Sequence, residues 1–168
     1  MTNLIILPGN SKSNSEWLQM AANTFALSFK NIHKHDYSHW ATDKDIIDLG
    51  TELKKLSGIV KNENYVVFAK SAGAVLTLYG VYKKKIYPRK CVFVGFPADW
   101  ARENRFDINL WLKSYDVPTI IIQNSNDPIT SFKNLENYFQ ELHKPNIELV
   151  EIIGDDHIYG DFDLIKKK

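Results

Sequence analysis

Short apolar runs alternate along the chain with longer stretches of helical period. Residues 4–7, 65–69, 91–96, 119–123 and 147–153 are rich in Ile and Val and mostly lack apolar–polar alternation. That is the pattern of strands covered on both faces. Residues 31–37 predict a sixth, weaker strand, with His33, His35 and Tyr37 on one face and Ile32, Lys34 and Asp36 on the other. Between the runs, Trp17, Leu18, Ala21, Ala22, Phe25 and Phe29 recur at the three-and-four spacing of one helix face. Ser13 and Glu16 predict a capping box at its start. Ile46, Leu49, Leu53, Leu56 and Val60 form a second stripe, and Phe132, Leu135, Phe139 and Leu142 a third. Residues 74–82 are apolar almost all round, as in a helix buried against a sheet.

The order is strand and helix in alternation, with one short helix between the fourth and fifth strands and a tail after the sixth. Such alternation requires right-handed crossovers and predicts an α/β fold, a mainly parallel six-stranded sheet between helical layers. No internal repeat, linker or break in composition divides the chain, so residues 1–168 are read as a single domain. Lys and Arg number 21 against 20 Asp and Glu, a formal charge of +1. A nucleic-acid binder is not expected at that balance, for want of a net field to attract phosphates. The single Cys91 excludes an intramolecular disulfide framework and suits a reducing compartment. The first apolar run stops at Pro8-Gly9, too short for a signal peptide or a membrane span. A cytoplasmic protein without membrane association is the expectation.

Ligands of an open parallel sheet bind where the loops leave the carboxyl ends of the strands. The polar residues there are Asn10 and Ser11, Lys70 and Ser71, Asn124 to Asp127, and Asp155 to His157. Ser71 lies between a buried strand and a buried helix, with Ala69 two residues before it and Gly73 two after. A sharp turn at that point forces the serine into a strained conformation and needs small neighbours at both flanks. It also aims the hydroxyl near a helix N-terminus, where developing negative charge is favoured. The alternative is a plain helix N-cap. Serine alone is a poor nucleophile; an imidazole must take its proton and a carboxylate must hold the imidazole. Asp127 follows the fifth strand and His157 the last, so Ser, acid and His occur in the chain order of one class of triad.

These residues carry a resemblance. With Leu7-Pro8-Gly9-Asn10, Ala69-Lys70-Ser71-Ala72-Gly73, Asn126-Asp127-Pro128 and Gly154-Asp155-Asp156-His157, the chain resembles the small α/β-hydrolases, and more narrowly the compact serine hydrolases of the retinoblastoma-binding-protein 9 type. The likeness spans nearly the whole chain. It implies Ser71 as nucleophile, Asp127 as orienting acid and His157 as general base. It also implies an oxyanion hole from the backbone N–H groups of Ala72 and Asn10. The implied activity is cleavage of carboxylic esters, or of amides or thioesters, of small molecules, without metal or organic cofactor. Lys70 departs from the His that many hydrolases carry there, and Ala69 from Gly.

Several alternatives stand beside this reading. Asp99, after the fourth strand, is a rival acid, and Asp155 and Asp156 are candidate turn residues. Trp100, Phe106 and Trp111 either wall a substrate pocket with Lys70 or cover the core. Ile158 and Phe162 are expected to anchor the tail. His33, His35 and His39 suggest a metal site only weakly, and exposed sheet positions fit them better. The loop at residues 9–13 lacks the spacing of a phosphate-binding P-loop. At 168 residues the strands and helices leave no stretch for a cap domain, and residues 98–114 are the one candidate cover. Two other functions remain open: a catalytically weak hydrolase-fold module that binds a protein or ligand, and a flavodoxin-like module that binds phosphate in the first loop.

Overall fold

The computed structural model describes residues 2–60 and 64–168. Its strands are β1 (Asn3–Leu7), β2 (Ile32–Lys34), β3 (Tyr65–Lys70), β4 (Cys91–Val94), β5 (Thr119–Asn124) and β6 (Ile147–Ile152). Its helices are α1 (Asn14–Phe25), α2 (Leu49–Ile59), α3 (Ala72–Tyr82), α4 (Ala98–Glu103), α5 (Ile108–Lys113), α6 (Phe132–Leu142) and α7 (Phe162–Lys166), with a 3-10 turn at Ser38–Ala41. The six strands form one sheet in the order β2-β1-β3-β4-β5-β6. Every neighbouring pair is parallel.

Alternate side chains of the central strands serve two cores, as the period of two demands. Ile5, Leu7, Val67, Ala69, Phe93 and Ile121 face α2, α3, α5 and α6. Leu4, Ile6, Phe68, Val94 and Ile122 face α1 and α7. The result is a three-layer sandwich. The chain leaves β1 for β2 on one side and then returns to β3 on the other, so the loops after β1 and β3 diverge between those strands. That switch point is where an open parallel sheet forms its crevice.

The structure departs from the sequence pattern at several ends. The strand expected over residues 31–37 pairs only at Ile32–Lys34. Beyond it, Tyr37 donates to the Pro8 carbonyl and His35 bonds Glu52, so the chain turns inward and leaves the ladder. The Ser13 capping box does not form: Ser13 has helical φ and ψ of −58° and −17°, and its hydroxyl meets Ser11. Buried Trp17 and Leu18 hold α1 all the same. Burial of such a side chain is worth about 1.5–3 kcal/mol, against about 1 kcal/mol for a cap. β4 stops at Val94 because Gly95 takes φ +61°. The one short helix expected between β4 and β5 is two, α4 and α5, and Trp111 of α5 lies against Tyr79 of α3 with ring centroids 5.1 Å apart. Residues 98–114 therefore lie largely on the core. No helix among the described residues is long and apolar enough to cross a membrane.

Candidate active site

Ser71 joins β3 directly to α3 and holds φ 50° and ψ −116°. An L residue adopts that conformation at a cost of about 1–3 kcal/mol, so the surroundings must impose it. They do so through the backbone. The Ser71 N–H donates to Val94 O at 3.1 Å, continuing the ladder to β4, and the Gly73 N–H donates to Pro8 O at 3.1 Å. Gly73 is required for this approach, since a Cβ there would stand 2.5 Å from the Leu7 carbonyl oxygen. Ser71 occupies the N-cap position of α3, yet its side chain makes no capping hydrogen bond. The hydroxyl is thus not spent on the helix. A cleft of about 350 Å³ is lined by Ser71 together with His157.

His157 is held from behind. Its Nδ1 lies 2.8 Å from Asp127 Oδ2 and 3.0 Å from Oδ1. Asp127 is buried and also accepts from the Ile129 N–H at 2.8 Å and the Tyr159 hydroxyl at 2.6 Å. Burial alone would raise its pKa, but the bonds from His157, Tyr159 and Ile129 hold it below the ordinary carboxylate value. An ionised carboxylate only accepts, so Nδ1 carries the imidazole proton and Nε2 is the free acceptor of the neutral ring. His157 Nε2 is buried and has no hydrogen-bond partner among the described residues.

The loop after β1 is fixed on both sides of Asn10. The Asn10 carbonyl accepts from His39 Nε2 at 2.8 Å and Trp40 Nε1 at 2.7 Å. Its side chain donates to Asp45 O at 2.7 Å and accepts from the Ile47 N–H at 2.9 Å. Ala72 is the first residue of α3, so its N–H is one that a helix leaves without an internal acceptor. Lys70 is 6% exposed and donates to Asn14 Oδ1 at 2.8 Å. Burial pulls its pKa down to about 8, with Asp156 and Asp127 acting in the opposite sense.

The structure also separates the sequence candidates. Asp99 does not reach His157; its carboxylate pairs with Arg102 at 3.1 Å. Asp156 Oδ1 caps its own turn by accepting the Ile158 N–H at 2.7 Å. Trp100 lines the cleft, but Phe106 and Trp111 do not: Phe106 packs at a tilt against Trp100, with ring centroids 5.5 Å apart, and lines a separate depression beside Tyr138, while Trp111 is buried in the core. Ile158 is 63% exposed at the cleft and anchors nothing, whereas Phe162 is buried. His35 and His39 are buried, contrary to the exposed positions expected of them, because each is committed to a protein partner, Glu52 and Asn10.

Three contributors carry no sequence motif. Tyr159 donates to the Asp127 carboxylate, and its ring stands edge-on to His157 with centroids 5.8 Å apart. Gly95 lets that ring approach: a Cβ would lie 2.8 Å from His157 Cε1. Asn124 ties the His157 loop to β5 by donating from Nδ2 to Asp156 O at 2.8 Å. Asn124 stands among the polar residues that end the fifth apolar run, and Tyr159 lies two residues beyond His157; Gly95 gave no such hint.

No protein-family model matches the chain, and no curated protein sequence does. Solved structures do match in shape. An alpha-beta serine hydrolase homologue from Coxiella burnetii superimposes with TM-score 0.73 at 15% identity, over 99% of this chain and 82% of that one. Est1E from Butyrivibrio proteoclasticus, solved with ferulic acid, gives TM-score 0.74 at 13% identity over 99% and 86%. XC6422 from Xanthomonas campestris, an α/β serine hydrolase without a lid, gives 0.71 at 17% over 97% and 77%. The chain has the α/β-hydrolase fold. Within that α/β-hydrolase fold, the strained Ser71, Asp127 and His157 stand on the loops after β3, β5 and β6, at one edge of the sheet.

Proposed function

We propose that the protein is a serine hydrolase that cleaves carboxylic esters of small molecules, or their amide or thioester analogues, through an acyl-enzyme on Ser71. The observation that carries this reading is the state of His157. Asp127 holds its Nδ1, while its Nε2 is buried without a partner among the described residues, beside a cleft that it shares with a strained Ser71 whose side chain does not cap α3.

In this reading Nε2 takes the Ser71 proton as Oγ attacks the substrate carbonyl carbon. The carbonyl oxygen becomes an oxyanion held by the N–H groups of Ala72 and Asn10. Each such donor is worth about 3–4 kcal/mol when it is fixed beforehand, and the double anchoring of Asn10 supplies that fixity. The imidazolium then protonates the departing alcohol. Water, deprotonated by the same Nε2, attacks the acyl-enzyme; the imidazolium returns that proton to Ser71 Oγ as the C–Oγ bond breaks and the acid leaves. Asp127 stays ionised throughout, stabilising the imidazolium. No metal or organic cofactor takes part in these steps.

The test is a fluorophosphonate probe with the adduct located by mass spectrometry. Labelling of Ser71, lost in S71A, together with turnover of short-chain esters is the expected result. Folded protein that leaves Ser71 unlabelled removes the reading. Labelling without turnover of any ester points instead to a binding module on a hydrolase scaffold.

A further inference from the structure

The strand order divides the cleft in two around Ser71. Asn10, Ser11, Ser13 and Asn14 come from the segment after β1, on one side of β3; Trp100 of α4, and Ile129 and Ile158 from the loops after β5 and β6, come from the other. One end therefore offers hydroxyls and amides, and the other end is apolar. Lys70 also lines the cleft and immediately precedes Ser71. It is the one Lys or Arg in the lining, which holds no Asp or Glu; Asp127 lies behind His157.

Lys70 is an unusual cation in its own right. Of three ammonium N–H groups, one donates to Asn14 Oδ1, and the charge lies 5.6 Å from the centre of the Trp17 ring. Among the described residues no carboxylate comes within ion-pair distance of it. A buried ammonium without a contacting counter-ion forfeits hydration that an anionic ligand would replace. Its pKa, lowered by burial only to about 8, leaves it largely charged at neutral pH.

We propose that the site selects small esters that carry a carboxylate, bound by Lys70 at the polar end of the cleft. This deepens the proposed hydrolase function and rests on Ser71 as its nucleophile. A competing role for Lys70 is purely structural: through Asn14, whose Nδ2 donates to Ser11 O at 2.9 Å, it would brace the first loop and affect all substrates alike. The two roles differ in what they do to substrate preference.

The test uses two matched pairs with the full-length protein. The adipate mono-para-nitrophenyl ester against para-nitrophenyl hexanoate places the carboxylate on the acyl side; para-acetoxybenzoate against para-cresyl acetate places it on the leaving group. The anion is expected to have the higher kcat/KM by about tenfold or more in at least one pair, the scale of one charge-assisted hydrogen bond. That ratio is expected to shrink with added salt, to fall toward unity in K70M, and to persist in K70R. Ratios near unity in both pairs, or a ratio unchanged in K70M, overturn the proposal. Should K70M not fold, the wild-type ratios decide it alone. Where no ester turns over, protection of Ser71 from the fluorophosphonate is the readout. Hexanoate is then expected to protect and hexanamide not, and equal protection overturns the proposal. Labelled Ser71 without anion preference defeats the carboxylate site only; an unlabelled Ser71 defeats the nucleophile and this proposal with it.

Discussion

The Tyr159 hydroxyl donates to Asp127 Oδ2 at 2.6 Å while it accepts the Asn124 backbone N–H at 2.9 Å. The phenol thus links the carboxylate behind His157 to the end of β5, and all of these groups except His157 are buried. Tyr159 holds its place with φ 54°, and its carbonyl accepts from Trp17 Nε1 at 2.9 Å, so α1 secures the same turn.

Y159F removes both bonds and leaves the Asn124 N–H and one lone pair of Asp127 unsatisfied. A buried group left in that state costs about 1–3 kcal/mol. The variant is expected to melt lower, and to lose kcat with little change in KM, because the phenol touches the acid and not the substrate cleft. Thermal unfolding and steady-state kinetics check this together. A variant as stable and as active as the wild type would show the phenol to be incidental.

D127N and D99N separate the two candidate acids. D127N presents an amide to His157 Nδ1 and favours the wrong tautomer, for which a loss of about a thousandfold to ten-thousandfold in kcat is expected. D99N breaks only a pair with the largely exposed Arg102, and exposed pairs are worth about 1 kcal/mol or less. Its kcat is expected to stay close to wild type. A larger loss for D99N than for D127N would reverse the assignment of the acid.

The sequence pattern located these elements wherever one physical constraint dominates. The apolar runs at 4–7, 65–69 and 119–123 lie within strands β1, β3 and β5, since a strand covered on both faces admits few polar residues. Ser71 was legible because its turn restricts the flanks to Ala69 and Gly73, which are sequence neighbours. Gly95, Tyr159 and the Glu52–His35 pair were not legible, because their partners lie far away along the chain and are chosen by packing. Ser13 misled for a local reason: the capping box needs extended backbone at that residue, and the loop after β1 bends it into helical geometry. Phe106 and Trp111 stayed open between a pocket wall and a core cover because an aromatic over the core and one at a cleft look the same in sequence; the packing decides it.

G95A tests how closely the imidazole is placed. Gly95 has φ +61°, and an added Cβ would meet Tyr159 Cε2 at 2.5 Å and His157 Cε1 at 2.8 Å. The backbone strain alone costs about 1–3 kcal/mol. Relief by moving the His157 ring is expected to lower kcat by about a hundredfold, the scale of a misplacement near 1 Å. Fluorophosphonate labelling of Ser71 should slow in parallel, since it too needs the base. Wild-type kinetics in G95A would mean that the loop yields without cost to the site.

The last prediction concerns acid stability and reaches the site through α2. Glu52 is buried; its Oε2 accepts from His35 Nε2 at 2.8 Å and lies 3.2 Å from Lys55 Nζ, while Oε1 accepts the Ser38 N–H at 2.7 Å. Burial pushes its pKa up, but these bonds outweigh it and bring the value from an ordinary 4.5 down to about 2. A carboxylate with a lowered pKa in the folded state stabilises the fold above its unfolded value and loses that contribution as pH falls. The loss is therefore expected between pH 4.5 and about 2, and its size is about 3–4 kcal/mol at 1.36 kcal/mol per pKa unit. E52Q should be less stable at neutral pH and flatter across that window, measured by denaturant unfolding at a series of pH values. Two curves that run parallel from neutral pH to acid would sink the idea. Because Glu52 holds Ser38 at the start of the turn carrying His39 and Trp40, E52Q should also loosen Asn10 and lower kcat at neutral pH. The same substitution then reports on the fold in acid and on the proposed oxyanion loop at neutrality.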